Sequence, residues 1–237
     1  MNVIFIKRSI FVWLLSIAFH AGAQTNTATE TRNLTGFSSV VLNVPAVLTV
    51  SQSKEFSVQL EGRKELLDEV ITELKGDRLV IRYRENKWPP ASEKALQIYI
   101  KLPDVKGLEL NGSGSMAVLT ELHSKNLALE VNGSGNIKTR NIKAEHLTAT
   151  INGSGAILEL GGQANTAEME VNGSGNIDAD KLVCTNASAT TTGSGNISAG
   201  TPSSFDATIT GSGTIFYNGN AASIKKNVTG SGKVIQH

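Results

Sequence analysis

Apolar and polar positions in the second half of the chain repeat about every twenty residues, and each repeat is anchored on a Gly-Ser-Gly core. The cores begin at Gly112, Gly133, Gly153, Gly173, Gly193, Gly211 and Gly230, which gives spacings of 21, 20, 20, 20, 18 and 19 residues. The second glycines are Gly114, Gly135, Gly155, Gly175, Gly195, Gly213 and Gly232, and the first four cores are preceded by Asn111, Asn132, Asn152 and Asn172. Aligned on these turns, Leu110, Val131, Ile151, Val171, Thr191, Ile209 and Val228 form one mostly apolar column. Met116, Ile137, Ile157, Ile177, Ile197, Ile215 and Val234 form a second, and Leu127, Leu147, Ala167, Ala187, Phe205 and Ile224 a third. Between them run polar columns, Glu130, Thr150, Glu170, Thr190, Thr208 and Asn227 beside Ala128, Thr148, Glu168, Ser188, Asp206 and Lys225. Alternation puts one set in a core and the other in water. A twenty-residue period predicts an all-β solenoid whose coils bury side chains only against the coils above and below. Each buried Val or Ile contributes roughly 1.5–3 kcal/mol, so these ladders supply most of the stability.

The turn has its own physical reason. Asn and Gly accept positive φ, and small side chains let successive turns lie about 4.8 Å apart. The Asn and Gly positions are therefore assigned a structural role. Asn111, Asn132, Asn152 and Asn172 are expected to stack as an amide ladder, which Thr192, Thr210 and Thr229 replace in the last three coils.

Residues 35–106 are β-rich but less regular. Stretches from Phe37, Ala46 and Phe56 alternate apolar and polar residues and favour half-buried strands, with Pro45 marking a bend or an edge. A short helical turn is expected at Lys64 to Asp68, followed by a hairpin of Val70 to Lys75 and Arg78 to Arg84 around Gly76-Asp77. Glu85 to Lys94, with Trp88-Pro89-Pro90, reads as an exposed loop, because proline cannot donate to a ladder. Leu96 to Leu102 reads as a strand stopped by Pro103. Ahead of all this, 24–34 is polar and aperiodic and is expected to be a flexible leader.

The N-terminus combines Lys7 and Arg8, an apolar run from Ile10 to Phe19 and the small-residue triplet Ala21-Gly22-Ala23. These are the parts of a secretory signal peptide over residues 1–23, cleaved after Ala23. The run is about half of the roughly 20 apolar residues needed to span a bilayer, and no later stretch is long enough, so no integral membrane segment is expected after cleavage. The expected location is exported: periplasmic, outer-membrane-associated or extracellular. With 22 Lys+Arg against 21 Asp+Glu the chain carries no electrostatic footprint for nucleic acid. The single cysteine, Cys184, permits no internal disulfide, so stability must come from packing and backbone pairing.

Candidate chemistry is sparse. No glycine turn continues as a phosphate-binding loop, and the residues after the turns lack the Asp of a calcium-binding β-roll, so neither a cofactor nor a metal is expected. Paired carboxylates do acid–base work in many β-helical polysaccharide enzymes, and Asp178 and Asp180, with Glu159 one coil back, are the available candidates. No Arg or Lys cluster accompanies them, and a solvated face is the plainer reading. His146 falls in the polar column Asn126, Thr166, Asn186 and Ser204, while Cys184 falls in the small-residue column Ser124, Ala144 and Ala164, where a packed inert thiol is expected. Half of the Asn-x-Ser/Thr matches belong to the turn repeat, which already explains them, so glycosylation is given no weight.

Several stretches together resemble a known family. Phe37 to Gln52, the Leu66-Leu67 element with Asp77 to Ile81, the strand Ile98 to Pro103 and the recurring Gly-Ser-Gly-Asn-Ile are similar to the autotransporter adhesin head GIN domain family of Bacteroidetes-type bacteria. The resemblance runs from about Thr35 to the C-terminus. It implies a right-handed parallel β-helix-like fold in an exported protein and brings no catalytic residues with it. The chain departs from the family name in showing no C-terminal barrel of amphipathic strands. The expectation is an exported, non-enzymatic β-solenoid (repeat region 107–237) that binds a glycan or an envelope protein. Two alternatives stay open: a polysaccharide-active enzyme using Asp178 and Asp180, and a self-associating structural protein of the envelope.

Overall fold

A computed structural model describes residues 27–84 and 96–237. The signal segment with its Ala23 cleavage site and the loop expected at 85–94 lie outside the described residues. The chain is 69% strand and 3% helix, with about six solenoid turns of some twenty residues. The first elements are β1 (Thr27–Arg32), β2 (Ser39–Leu42), β3 (Ala46–Gln52), β4 (Ser57–Arg63), α1 (Lys64–Glu69), β5 (Val70–Lys75), β6 (Arg78–Tyr83) and β7 (Leu96–Leu102). Then come β8 (Gly107–Gly112) and β9 (Ser115–Val118), the first Gly-Ser-Gly coil. Five further coils each pair a long strand with a short one: β10 (Leu122–Gly133) with β11 (Asn136–Lys138), β12 (Ile142–Gly153) with β13 (Ala156–Leu158), and β14 (Gly162–Gly173) with β15 (Asn176–Asp178). They continue as β16 (Leu182–Gly193) with β17 (Asn196–Ser198), and β18 (Thr201–Gly211) with β19 (Thr214–Tyr217). The last pair is β20 (Ser223–Gly230) with β21 (Lys233–Gln236).

Long strands stack in one parallel sheet and short strands in another, and the core fills the space between them. Register follows the sequence columns. Val131 pairs with Ile151, Ile151 with Val171 and Val171 with Thr191, and all are buried. A further inward column, Leu129, Ala149, Met169, Ala189 and Ala207, completes the core.

Both sheets extend into the N-terminal half, where β2 and β3, then β6 and β7, occupy the next coil positions below β8 and β9. The chain visits these two coils out of spatial order, which is why the period is lost there. Asn43, between β2 and β3, stands directly beneath Asn111 and accepts a hydrogen bond from its Nδ2 at 2.7 Å. Below them β4, α1 and β5 close the end of the core, with Leu66 and Leu67 of α1 buried. The leader expected at 24–34 is not loose over its described part. β1 pairs antiparallel with β4 along its whole length, Ala28 packs against the core, and Glu30 holds Lys64 at 2.9 Å. Single-strand alternation too polar to register as core is rescued by an existing sheet edge.

Candidate binding surface

Each long strand turns a corner near its start. In β10 against β12 the paired residues run from Leu122 to Ser124 and resume at Asn126, and the same lapse recurs at 145 and 165. The corner residues Lys125, Glu145, Asn165 and Thr185 are exposed, as are His123, Lys143, Gln163 and Val183 two positions earlier. Between these columns lie Ser124, Ala144, Ala164 and Cys184, small and progressively more buried. Small residues flanked by two rows of longer ones leave a channel. It amounts to a groove of about 930 Å³ that runs across the strands from Asp104 and Lys106 to Ser203.

The groove differs along its length. At the β8 end Lys143 pairs with Glu121 at 3.0 Å, His123 Nε2 lies 3.5 Å from the same carboxylate, and Lys106 lies 3.8 Å from Asp104. The hydrogen bond from Lys143 is the main reason that Glu121 is held below the usual carboxylate range, with the charge of His123 a smaller contribution. Toward β18 the walls carry Gln163, Asn165, Thr185 and Ser203, all uncharged hydrogen-bonding groups. No Phe, Tyr or Trp lines it among the described residues. Gln52 braces the near end, its Nε2 donating to the carbonyls of Pro103 (2.9 Å) and His123 (3.0 Å) while its Oε1 accepts from His123 N. Beside the groove, and lined by the His146 column, is a smaller depression of about 360 Å³. There His146 Nδ1 and Thr166 Oγ1 are 2.7 Å apart.

Burial raises the thiol of Cys184 to about 11, which keeps it protonated and unreactive at neutral pH. Asp178 and Asp180 lie outside the groove. The Asp178 carboxylate accepts the backbone N–H of Asp180 at 3.4 Å, a local turn contact. Cations stand instead beside Glu159, diagonally one coil away. Lys138 and Arg140 clamp Glu159 at 2.6 and 2.7 Å and, by those hydrogen bonds, hold its carboxyl below the ordinary range. Glu159 has φ 55°, an uncommon backbone state for a non-glycine residue.

The glycine turns are occupied by their own stacking. Gly133 O accepts from both Ser154 N and Gly155 N at 2.9 Å, and Gly173 O likewise from Ser194 N and Gly195 N. Side-chain amides continue the stack: Asn172 Nδ2 donates to Asn152 Oδ1, Asn152 to Asn132 and Asn132 to Asn111, at 2.9–3.1 Å. A second, shorter amide stack on the other sheet runs from Asn196 to Asn176 at 3.0 Å. Donors committed in this way are not available to cradle an anion. The groove walls were not singled out in the sequence. The available signal was the polar column immediately before that of His146, flanking the small-residue column of Cys184.

Two stacked parallel sheets, a closed lower end and an open groove across the coils define a β-solenoid. Residues 36–221 match the family described as "Putative auto-transporter adhesin, head GIN domain", and the chain belongs to that family. Among solved structures, a "putative adhesin" from Bacteroides fragilis NCTC 9343 superposes with a TM-score of 0.84 at 23% identity, covering 89% of this chain and 97% of its own. A "Putative lipid binding protein" from Parabacteroides distasonis ATCC 8503 gives 0.72 at 23% identity, covering 90% and 98%. A "putative adhesin" from Parabacteroides merdae ATCC 43184 gives 0.73 at 20% identity, covering 90% and 97%. These likenesses establish the fold. Comparison with curated proteins finds no match.

Proposed function

We propose that this protein is an exported, non-enzymatic adhesion module of the cell envelope, and that the corner groove holds a glycan. The observation that carries the reading is the groove itself: a channel across successive coils, walled by amides, hydroxyls and mutually balanced charges. Membership of an adhesin-described family and the solenoid fold fit a surface adhesion-type role. The apolar side chains of the lining are short, Ala144, Ala164, Val183 and Cys184, and alternate with hydrogen-bonding groups, which suits a sugar chain better than an acyl chain. A glycan array probed with the purified chain tests the reading, with Asn165→Trp as the control that fills the exposed middle of the groove. Array binding lost in Asn165→Trp supports it; array binding untouched by that change removes the groove as the site. Capture of an envelope protein without any glycan signal would move the function to the second partner class. Release of reducing ends from a polysaccharide, abolished by Asp178→Asn, would establish the enzymatic alternative. Export is checked by sequencing the N-terminus of the secreted chain, expected to begin at Gln24.

A further inference from the structure

The groove runs perpendicular to the strands, so every coil contributes the same wall position in turn: Lys125, Glu145, Asn165, Thr185 and Ser203. Adjacent coils are about 4.8 Å apart, and four such steps make roughly 19 Å. A surface built this way offers one kind of contact repeatedly along a line. Resting on the glycan reading above, we infer that the groove recognises the interior of an extended, uncharged polysaccharide laid parallel to the solenoid axis.

Charge decides against a polyanion. Lys143 and Lys106 are already faced by Glu121 and Asp104, and Lys125 and Glu145 are of opposite sign on neighbouring coils. A uniformly acidic polymer would set some of its charges against Glu145 and find no unbalanced cation from Gln163 onward. Composition also decides against a terminal-sugar pocket. Among the described lining residues no aromatic ring offers a stacking platform for one sugar, so affinity must accumulate from many weak contacts. Each hydrogen bond nets roughly 0.5–1.5 kcal/mol, which makes each added sugar worth roughly a two- to tenfold gain in affinity.

Calorimetric titration of the purified chain with size ladders of cello-, laminari-, manno- and chito-oligosaccharides tests this, with oligogalacturonate as the polyanion. In the series that binds, affinity should climb with length and level off once the ligand fills roughly 19 Å. Ser203→Trp and Lys125→Trp sit at opposite ends of the wall column that runs from Lys125 to Ser203, and both positions are exposed. Each should lower the plateau affinity while leaving the shortest binding oligomer unchanged. The inference is overturned by affinity that does not grow with length, by preference for oligogalacturonate, or by one end substitution abolishing all binding while the other is silent. Failure of every oligosaccharide, acidic or neutral, is a different result: it defeats the glycan reading itself.

Discussion

Thr191 interrupts the apolar ladder, and replacing it with valine should stabilise the protein. Its side chain is fully buried, in register with Val171 below and Ile209 above, and Oγ1 has no hydrogen-bond partner. The methyl is already in the ladder position. Thr191 Cγ2 lies 2.5 Å from where a Cβ on Gly213 would fall, as Val171 Cγ1 lies 2.4 Å from the corresponding point on Gly195. Valine thus fits the same cavity, and its second methyl takes the place of the hydroxyl. An unpaired buried hydroxyl costs about 1–3 kcal/mol, and the added methyl contributes up to about 0.8 kcal/mol. A net gain of about 1–3 kcal/mol corresponds, for a chain of this size, to a Tm rise of roughly 2–12 °C. Thermal and urea unfolding followed by circular dichroism should show a higher midpoint with an unchanged m value. The reverse substitution, Ile209→Thr, inserts the same hydroxyl one coil higher and should lose at least as much. An unchanged or lower midpoint in Thr191→Val would mean that the hydroxyl is satisfied, and would refute the reasoning.

Gly155→Ala should be strongly destabilising, because the new Cβ would lie 2.4 Å from Gly135 O and 2.6 Å from Val131 Cγ1. Overpacking against backbone costs about 1–3 kcal/mol or more, readable as a lower urea midpoint. Glu73 is held down to about 2 by its hydrogen bonds to Arg82 and then Lys75. A depressed carboxyl stabilises above its unfolded value near 4.5 and loses that contribution as pH falls toward 2, so Tm measured down this range should drop less steeply in Glu73→Gln than in the parent. Lys226 occupies the β20 position of the inward column Leu129, Ala149, Met169, Ala189 and Ala207, with its ammonium 5.2 Å from the Tyr217 ring centroid. Since β20 has a strand on one side only and exposes Ile224 and Val228, this lysine blunts the edge. Lys226→Leu should therefore give concentration-dependent association in sedimentation velocity, and an unaltered profile would count against the blunting role.

The repeat was legible because its period is carried by side chains that repeat in type: Ile137, Ile157, Ile177 and Ile197 announce a column by identity alone. The helical turn and hairpin were legible for a local reason, since α1 and the β5–β6 pair are close in sequence and Gly76 takes the positive φ the turn needs. The coil of β2 and β3 was hidden by its turn. Asn43-Val44-Pro45 does the work of Asn-Gly-Ser-Gly with no glycine, and only the neighbouring Val40 to Asn43, matched against Leu108 to Asn111, could have revealed it. β1 was hidden because its partner β4 lies some thirty residues away. Half of the groove was visible as a small-residue column and a polar column. That the two make a channel depends on the corner at Lys125, which is a property of three dimensions and leaves no composition signal of its own.

One coil departs from this regularity and recovers it at once. In most coils one residue separates the column of Ile137 from the next inward side chain, such as Thr139 or Ala179. In the coil of β13, Glu159 intervenes with positive φ and Leu160 turns inward instead. Lys138 and Arg140 pin Glu159 in that state, and Gly161-Gly162 then recovers the lost register at once. Only glycine can do so, because at Gly162 φ is 111° and a Cβ would lie 2.1 Å from Ile142 O. The result is that Gly162 still pairs with Ile142 and Gln163 with Lys143. Had the extra step carried forward, every side chain of β14 would have changed face, and Gln163 and Asn165 would have left the middle of the groove wall. The same slip would have turned Ala164, Ala167, Met169 and Val171 out of the core, so the paired glycines after the bulge hold the core ladder and the groove wall in register together.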